Sequence, residues 1–287
     1  MLRRKGLPGQ IVNSLITGAT GFLGSHIALF LEELGHSLTI IKRKSSSMER
    51  LNHLKKEHLF LDVENGLKDS LAGKEFDYIF HIATNYGKGD QSYEEVYESN
   101  VVFPLSAFSE IEKFKTLINF DTTLPVEVND YAKTKHEFLE KIRSKYPDVR
   151  LINLKLEHFF GPKDGKFINY ITDSLIKGLP SLELTLGTQV RDFIYYKDIL
   201  SAIKLILSTE IDGDIPIGSG EERPIKELIL SIKKLTNNET TLLEWGKVPY
   251  RKSEVMYSVA NIEILKNLGW RPQYSFEEGI QEIINNS

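Results

Sequence analysis

Tyr131 and Lys135 stand four positions apart in the stretch NFDTTLPVEVNDYAKTK, residues 119–135. On a helix that spacing sets both side chains on one face. A tyrosine is a poor acid–base catalyst at neutral pH, with a reference pKa of about 10. A neighbouring ammonium favours the phenolate and brings that value down. A tyrosine tuned in this way exchanges a proton with a substrate hydroxyl or carbonyl. A hydroxyl at the end of the preceding strand would hold the same substrate oxygen. Thr122 is the first candidate for it and Thr123 the second. Alone, Tyr-x-x-x-Lys is an ordinary pair on a surface helix. A second motif near the start of the chain gives it weight.

That motif is TGATGFLG, residues 17–24, with glycines at Gly18, Gly21 and Gly24. Glycines let the backbone turn tightly and approach a pyrophosphate. The N-terminus of the following helix supplies N–H donors and a positive dipole end. A tight strand-to-helix turn would use the same residues without a ligand. Here a strand signal precedes the run and a helix signal follows it, the context a dinucleotide site requires. The next strand runs into Lys42-Arg43-Lys44 and three serines. A site for NAD usually carries an acid there, to bond the ribose 2′-hydroxyl. Cations suit the 2′-phosphate of NADP instead, so Arg43 and its neighbours favour NADP(H) over NAD(H). Asp62, at the end of the third strand, is either an acceptor for the adenine amino group or a turn residue.

Regular elements must position these groups. Residues 11–20 read as a buried strand. Residues 21–35 carry apolar positions at helical period (Phe22, Leu23, Ile27, Phe30, Leu31, Leu34) and close at Gly35. Strands follow at 37–43, 58–63 and 76–84, then a helix over 93–111 that Pro104 kinks or steps. A strand over 115–123 leads to the Tyr131 helix, and 149–159 reads as one further strand. This alternation predicts an α/β fold, a Rossmann-type doubly wound parallel sheet with helices on both faces. The second half reads as a smaller C-terminal substrate-binding α/β cap. The expected division assigns 1–160 mainly to the dinucleotide-binding domain, with 188–217 returning to it. Residues 161–187 and 218–287 then form the cap.

Bulk properties close off other classes. The 287 residues carry a net charge of −4 with both signs interspersed, which leaves no footprint for nucleic acid or an anionic membrane. Arg3-Arg4-Lys5 reads as a solvated tail. No apolar run approaches the ~18 residues of a membrane span, and the N-terminus lacks a signal-peptide core. The expectation is a cytoplasmic protein. With no cysteine there is neither a disulfide nor thiolate chemistry, and the seven histidines show no metal-ligand spacing. His81 reads as a packing residue at a strand end.

Taken in order, TGATGFLG, Asp62, HIAT (81–84), Asn100 in ESNVVFPL, YAKTK, FFGP (159–162), RDFIYYKDI (191–199) and LGWRP (268–272) resemble the extended short-chain dehydrogenase/reductases that act on nucleotide sugars. Within that family, KLEHFFGPKDGKFINYI, GTQVRDFIYYKDI and EVMYSVANIEILKNLGW look closest to CDP-abequose and CDP-paratose synthase-like enzymes. Those enzymes are NADPH-dependent reductases of the 4-keto group of a nucleotide-linked 4-keto-6-deoxyhexose, in the biosynthesis of surface-polysaccharide deoxysugars.

The resemblance implies roles. Tyr131 is the general acid, Lys135 lowers its pKa and holds the nicotinamide ribose, and Thr122 takes the family's Ser/Thr position. Gly18, Thr20, Gly21, Phe22, Leu23 and Gly24 surround the pyrophosphate. Arg43, Asp62, Val63, Ile82, Ala83 and Thr84 complete the cofactor site, with Asn100 a structural or relay residue. Asn85 and Phe167 fall to the substrate, Asn169 beside Phe167, and Arg191 and Arg251 clasp its diphosphate; by their position Glu157 and His158 join the substrate side, Glu157 as a second acid or a backbone partner and His158 as a pocket residue or a core and loop support. The nucleotide (CDP, GDP or dTDP) stays open, and a homodimer is the family expectation.

Two departures bear on the reaction. The family commonly places a much longer segment between the hydroxyl residue and the tyrosine, whereas Thr122 and Tyr131 are nine positions apart. The sugar pocket is then more open on that side or is closed by something else. Dehydratases place an Asp-Glu pair after the threonine, where this chain has Thr123-Leu124. The alternatives are an NAD-dependent epimerase of the same family and a non-catalytic nucleotide-sensing module. The cations at 42–44 speak against the first, and the presence of both Tyr131 and Lys135 against the second.

Overall fold

A computed structural model describes residues 11–287. The basic Arg3-Arg4-Lys5 stretch lies outside them. The chain divides into two compact units. One runs to Leu154 and takes in Ile206–Ile215; the other comprises Lys155–Leu205 and Pro216–Ser287.

The first unit begins with β1 (Val12–Thr17), α1 (Phe22–Glu33), β2 (His36–Lys42), β3 (Leu59–Asp62), α2 (Lys68–Leu71) and β4 (Glu75–His81). It continues with α3 (Tyr93–Tyr97), α4 (Phe103–Ser109), β5 (Lys113–Thr122), α5 (Asp130–Lys145) and β6 (Arg150–Leu156). Further along come β7 (His158–Phe160), α6 (Phe167–Ile176), β8 (Ser181–Leu184), β9 (Val190–Arg191), β10 (Phe193–Tyr195), α7 (Tyr196–Leu207) and β11 (Gly213–Ile217). The chain ends with β12 (Arg223–Pro224), α8 (Ile225–Leu235), β13 (Leu242–Trp245), β14 (Tyr257–Ser258), α9 (Glu263–Asn267) and α10 (Phe276–Asn285).

Seven strands form one sheet in the order β11-β6-β5-β4-β1-β2-β3. β1 pairs in parallel with β2 on one side and β4 on the other. The strand order therefore reverses at β1, and the carboxyl ends of β1 and β4 are the place where such folds hold ligands. Its apolar runs are buried because helices cover both faces. Leu15, Ile79 and Leu117 from the sheet pack with Phe108, Phe138 and Ile142 from α4 and α5. The expected Rossmann-type architecture is the one found.

The second unit has its own core, including Phe160, Ile168, Leu182, Phe193, Leu228 and Ile280. Its sheets are small: β10 with β7, β12-β9-β14, and β13 with β8. Asp192, fully buried, ties the loops together. Its carboxylate accepts the Ser219 amide at 2.7 Å and hydroxyl at 2.6 Å, the Gly220 amide at 2.9 Å and the Ala260 amide at 3.2 Å.

Three sequence expectations need correction. The segment returning to the first unit is Ile206–Ile215 and not 188–217, because β9 and β10 pair with β14 and β7 of the second unit. The strand expected over 149–159 is two strands in separate sheets, broken at Glu157. The helix expected over 93–111 ends at Ser109, and a π-turn at Glu98–Val102 separates α3 from α4. A proline ring clashes with the carbonyl four residues back in an α-helix, and for Pro104 that carbonyl belongs to Asn100. A π-turn absorbs the clash.

Asp192→Ala leaves the buried Ala260 amide and the partly buried Ser219 and Gly220 amides without their acceptor. At ~1–3 kcal/mol for a buried unsatisfied group, the second unit is expected to lose at least ~1 kcal/mol, read as a lower urea midpoint for that unit by amide exchange.

Candidate active site

The Tyr131 end of α5 is fixed by Asn129, whose side chain caps the helix by accepting the Ala132 amide at 2.8 Å. Lys135, one turn on, is 1% exposed. Thr122 ends β5, and its hydroxyl hydrogen-bonds the Tyr131 phenol while accepting the Leu124 amide at 3.2 Å. The first-choice threonine therefore meets the tyrosine across the short loop.

The electrostatics differ from the sequence expectation. Lys135 was to bring the Tyr131 phenol down. Instead, burial pushes it up, Tyr86 and Asp121 push it further, and only the Thr122 hydrogen bond opposes them. The lysine itself is brought down to about 8 by burial, with Asp121 resisting. His81 reads as expected, a packing group. It is 1% exposed, its Nδ1 lies 2.8 Å from the Thr17 hydroxyl, and burial with the nearby Lys135 holds it well below the usual imidazole range.

The glycine loop closes too tightly for a side chain at two of its positions. Gly18 has φ of +78°, and a Cβ there would meet the Ala83 nitrogen at 2.5 Å. A Cβ on Gly24 would lie 2.1 Å from the Gly18 carbonyl oxygen. The turn can close this tightly only with glycine at both places. Gly21 is the N-cap of α1, and no side chain caps that end, which leaves first-turn N–H groups for an anion. Thr20 is half-buried in the loop, and Phe22 and Leu23 are buried in the first turn of α1. The amides of Ile82 and Ala83 bond the Thr17 carbonyl at 3.2 and 3.1 Å, which joins the ends of β1 and β4 beside the loop.

At the end of β2, Arg43 is exposed. Lys42 instead pairs with Asp62 at 2.5 Å. Asp62 is therefore engaged by a cation, and Val63 starts the short turn beyond it. Arg50, which the sequence reading missed, lies over the Phe22 ring at 5.6 Å.

Asn100, 2% exposed, clamps the loop after β4. It accepts the Asn85 amide at 2.6 Å and the Thr84 hydroxyl at 3.4 Å. It donates to the Asn85 carbonyl at 2.8 Å and the Thr134 hydroxyl at 3.0 Å. These bonds tie the loop to the π-turn that carries Asn100. The clamped loop presents Tyr86, 48% exposed, whose ring centre lies 4.9 Å from that of Tyr131. Tyr86 was also missed. Its place directly after HIATN, beyond a parallel strand's carboxyl end, was the available signal.

In the second unit, Arg191 is 8% exposed and pairs with Glu254 at 2.8 Å. Burial lowers its pKa, while Glu254 and Glu157 raise it. Arg251 is exposed, in the turn leading to Glu254. Glu157 is buried and accepts the Ser258 hydroxyl at 2.8 and 3.0 Å. His158 is half-exposed, 3.7 Å from Glu157 and packed on Phe193. Phe167 is exposed at the start of α6. Asn169 differs from expectation. It is buried and spends its amide on the Lys163 nitrogen and the Gly161 carbonyl, 2.8 Å each, so it pins the glycine loop. Among the described residues no cluster could hold a metal ion, and no helix is long and apolar enough to cross a membrane.

Comparison with known proteins agrees with this geometry. A sequence model of the NAD dependent epimerase/dehydratase family matches residues 14–218. The chain is 31% identical to the CDP-abequose synthase of Salmonella muenchen over 287 aligned residues, 94% of this chain and 96% of that protein. Among solved structures it is similar to the UDP-glucose 4-epimerase of Thermotoga maritima with UDP-glucose, with a TM-score of 0.78 and 22% identity over 96% of this chain and 98% of that one. The UDP-N-acetylglucosamine 4-epimerase of Methanobrevibacter ruminantium, in complex with UDP-N-acetylmuramic acid, gives a TM-score of 0.81 and 23% identity over the same shares, 96% and 98%. At those identities the two structures speak for the fold alone.

Gly24→Ala is expected to abolish dinucleotide binding, measured by quenching of tryptophan fluorescence. Gly35→Ala, where φ is +90° but the space is open, is the control. It is expected to lose ~1 kcal/mol of stability or more and to bind normally.

Proposed function

The chain belongs to the NAD dependent epimerase/dehydratase family, and from that premise we propose that it is an NADPH-dependent reductase of the C4 keto group of a nucleotide-linked 4-keto-6-deoxysugar. The family is one of NAD(P)-dependent enzymes that modify nucleotide sugars. The finer reading rests on one observation above the others: Tyr131 is held as a protonated phenol, hydrogen-bonded to Thr122, beside a buried Lys135. A reductase needs that proton donor. The likeness to CDP-abequose synthase along nearly the whole chain supports a CDP-linked substrate first, with GDP- and dTDP-linked sugars as the other candidates.

NADPH, when bound, supplies the hydride to C4. Tyr131 gives its phenolic proton to the oxygen that becomes the alcohol, and Thr122 bonds the same oxygen, so charge developing there meets two aligned donors. Lys135 holds the nicotinamide ribose and lends positive charge as the phenol loses its proton. The glycine loop and the start of α1 hold the pyrophosphate, and Arg43 holds the 2′-phosphate. Ile82, Ala83 and Thr84 flank the cofactor. In the second unit Arg191 and Arg251 take the substrate diphosphate. Asn85, Phe167, Glu157 and His158 stand on the substrate side of the scheme. A cytoplasmic homodimer serving surface-polysaccharide deoxysugar synthesis completes the proposal.

The deciding experiment follows NADPH absorbance with a CDP-4-keto-6-deoxyhexose. The wild type is expected to oxidise NADPH in step with sugar reduction, and Tyr131→Phe to lose about a hundredfold or more in kcat. Retention of tight NAD by the purified protein, with epimerised product and no net oxidation, would overturn the reductase reading. Arg43→Ala is expected to raise the KM for NADPH about tenfold or more, the loss of one charge-assisted bond, and to leave that for NADH unchanged. The charged form of Lys135 predominates below its pKa of about 8. Reduction is therefore expected to fall as pH rises through that value, which a pH profile of kcat checks.

A further inference from the structure

One acidic side chain of the first unit stands beside the acid–base pair without a part in it so far. Asp121 is 7% exposed near the end of β5. Its Oδ1 accepts the Thr122 amide at 2.8 Å, and its Oδ2 accepts Nδ2 of Asn153 at 2.9 Å. Asn153 is fully buried, and its Oδ1 takes Nδ2 of Asn119 at 2.7 Å. The same Asn153 amide reaches Asp214 at 3.1 Å, and Arg143 binds that Asp214 oxygen at 2.7 Å. A chain of side chains thus runs from Asp121, which holds the Thr122 amide, to a partly exposed ion pair. Carboxylates only accept and amide nitrogens only donate. The two carboxylates therefore fix which way Asn153 faces, and Asn153 in turn holds Asp121.

The charge on Asp121 acts on both members of the pair. It favours the Lys135 ammonium and disfavours the Tyr131 phenolate. The other groups around them do not replace it. His81 faces Lys135 from β4 as a neutral, buried ring. Tyr86, on the loop after β4, only adds to the effect on Tyr131, and the Thr122 hydroxyl works against it. A buried ammonium without an opposite charge is costly and sheds its proton.

We propose that Asp121 is the counter-charge of the Tyr131–Lys135 pair, a positioning residue locked by Asn153 and Asp214 that keeps the pair as phenol and ammonium, set to give a proton to a forming alkoxide and not to take one from a hydroxyl. The direction of proton transfer rests on the reductase reading; the pairing of Asp121 with Lys135 does not. An enzyme that starts by oxidising an alcohol needs the phenolate, which a fixed carboxylate at this place opposes.

Asp121→Asn removes the charge and keeps an acceptor for the Thr122 amide. The first readout is the Lys135 titration in the free protein, followed by NMR of labelled lysine and assigned with Lys135→Met. Its midpoint, about 8 in the wild type, is expected to fall by about one unit or more. The second is the pH profile of NADPH oxidation. Its alkaline limb is expected to move the same way, because an uncharged Lys135 and an ionised Tyr131 each remove the competent form. Loss of rate at every pH with an unmoved limb and an unmoved Lys135 midpoint would mean a merely structural role and would sink the proposal. Should Asp121→Asn not fold, Asn153→Ala decides. It leaves the carboxylate at 121 but removes the amide that holds its Oδ2, and a smaller fall in the Lys135 midpoint is expected; no fall overturns the proposal. If the wild type oxidises NADPH with no 4-keto sugar nucleotide, the reductase reading fails, and the Lys135 titration still decides the counter-charge.

Discussion

A buried ammonium is the constraint around which the first unit is organised. Lys135 sits where water cannot solvate it, on a helix that must also present Tyr131. Removing such a charge from water costs several kcal/mol even after relaxation. The surroundings respond to that cost. β5 brings a carboxylate, β6 brings an amide that orients it, and β4 brings an imidazole that stays neutral. The aromatic packing of Phe108 and Phe138 against His81 excludes water from the same region. That exclusion gives both the lysine and the tyrosine their displaced proton affinities. Stability is spent here to make a few groups respond to one another.

The glycine turn obeys a different logic, one of steric contact. Gly18 and Gly24 fail to accommodate a methyl group because backbone from β4 and from the turn itself already fills the space. The same tightness binds β1 to β4 at the reversal of strand order. The proposed pyrophosphate cradle and the joining of these two strands share the same residues, so neither can drift without the other.

What the sequence disclosed follows from how local each signal is. The strand–helix alternation, the glycine run and the i, i+4 pair are short-range patterns, and all were legible. Thr122 was legible too, because a strand end and a helix start separated by one short loop leave little freedom. The polar chain through Asn153 and Asp214 was not, since its members lie far apart in sequence and meet only through strand order. The break at Glu157 escaped because an apolar run does not show where a strand changes sheets. Asn169 read as ligand-facing from its motif, yet the Gly161–Lys163 backbone engages it; Asp62, open between an adenine acceptor and a turn residue, pairs with Lys42. The Tyr131 proton affinity was misjudged because proximity to Lys135 was weighed and burial was not.

The π-turn between α3 and α4 amounts to one extra residue wound into an otherwise continuous rod. At 3.6 residues per turn, the stretches on either side are out of phase by about 100°. Tyr93 and Tyr97 therefore face a different direction from the one that α4, extended backwards, would give them. A deletion within a helix ordinarily damages it; here, losing one residue between 98 and 102 would restore the regular winding and set the Pro104 ring against the carbonyl four residues before it. The regular helix would point Asn100 away from Asn85, and the loop that sets Tyr86 against Tyr131 would lose its clasp. In this segment the irregular form preserves the site, and a more perfect helix would be the harmful variant.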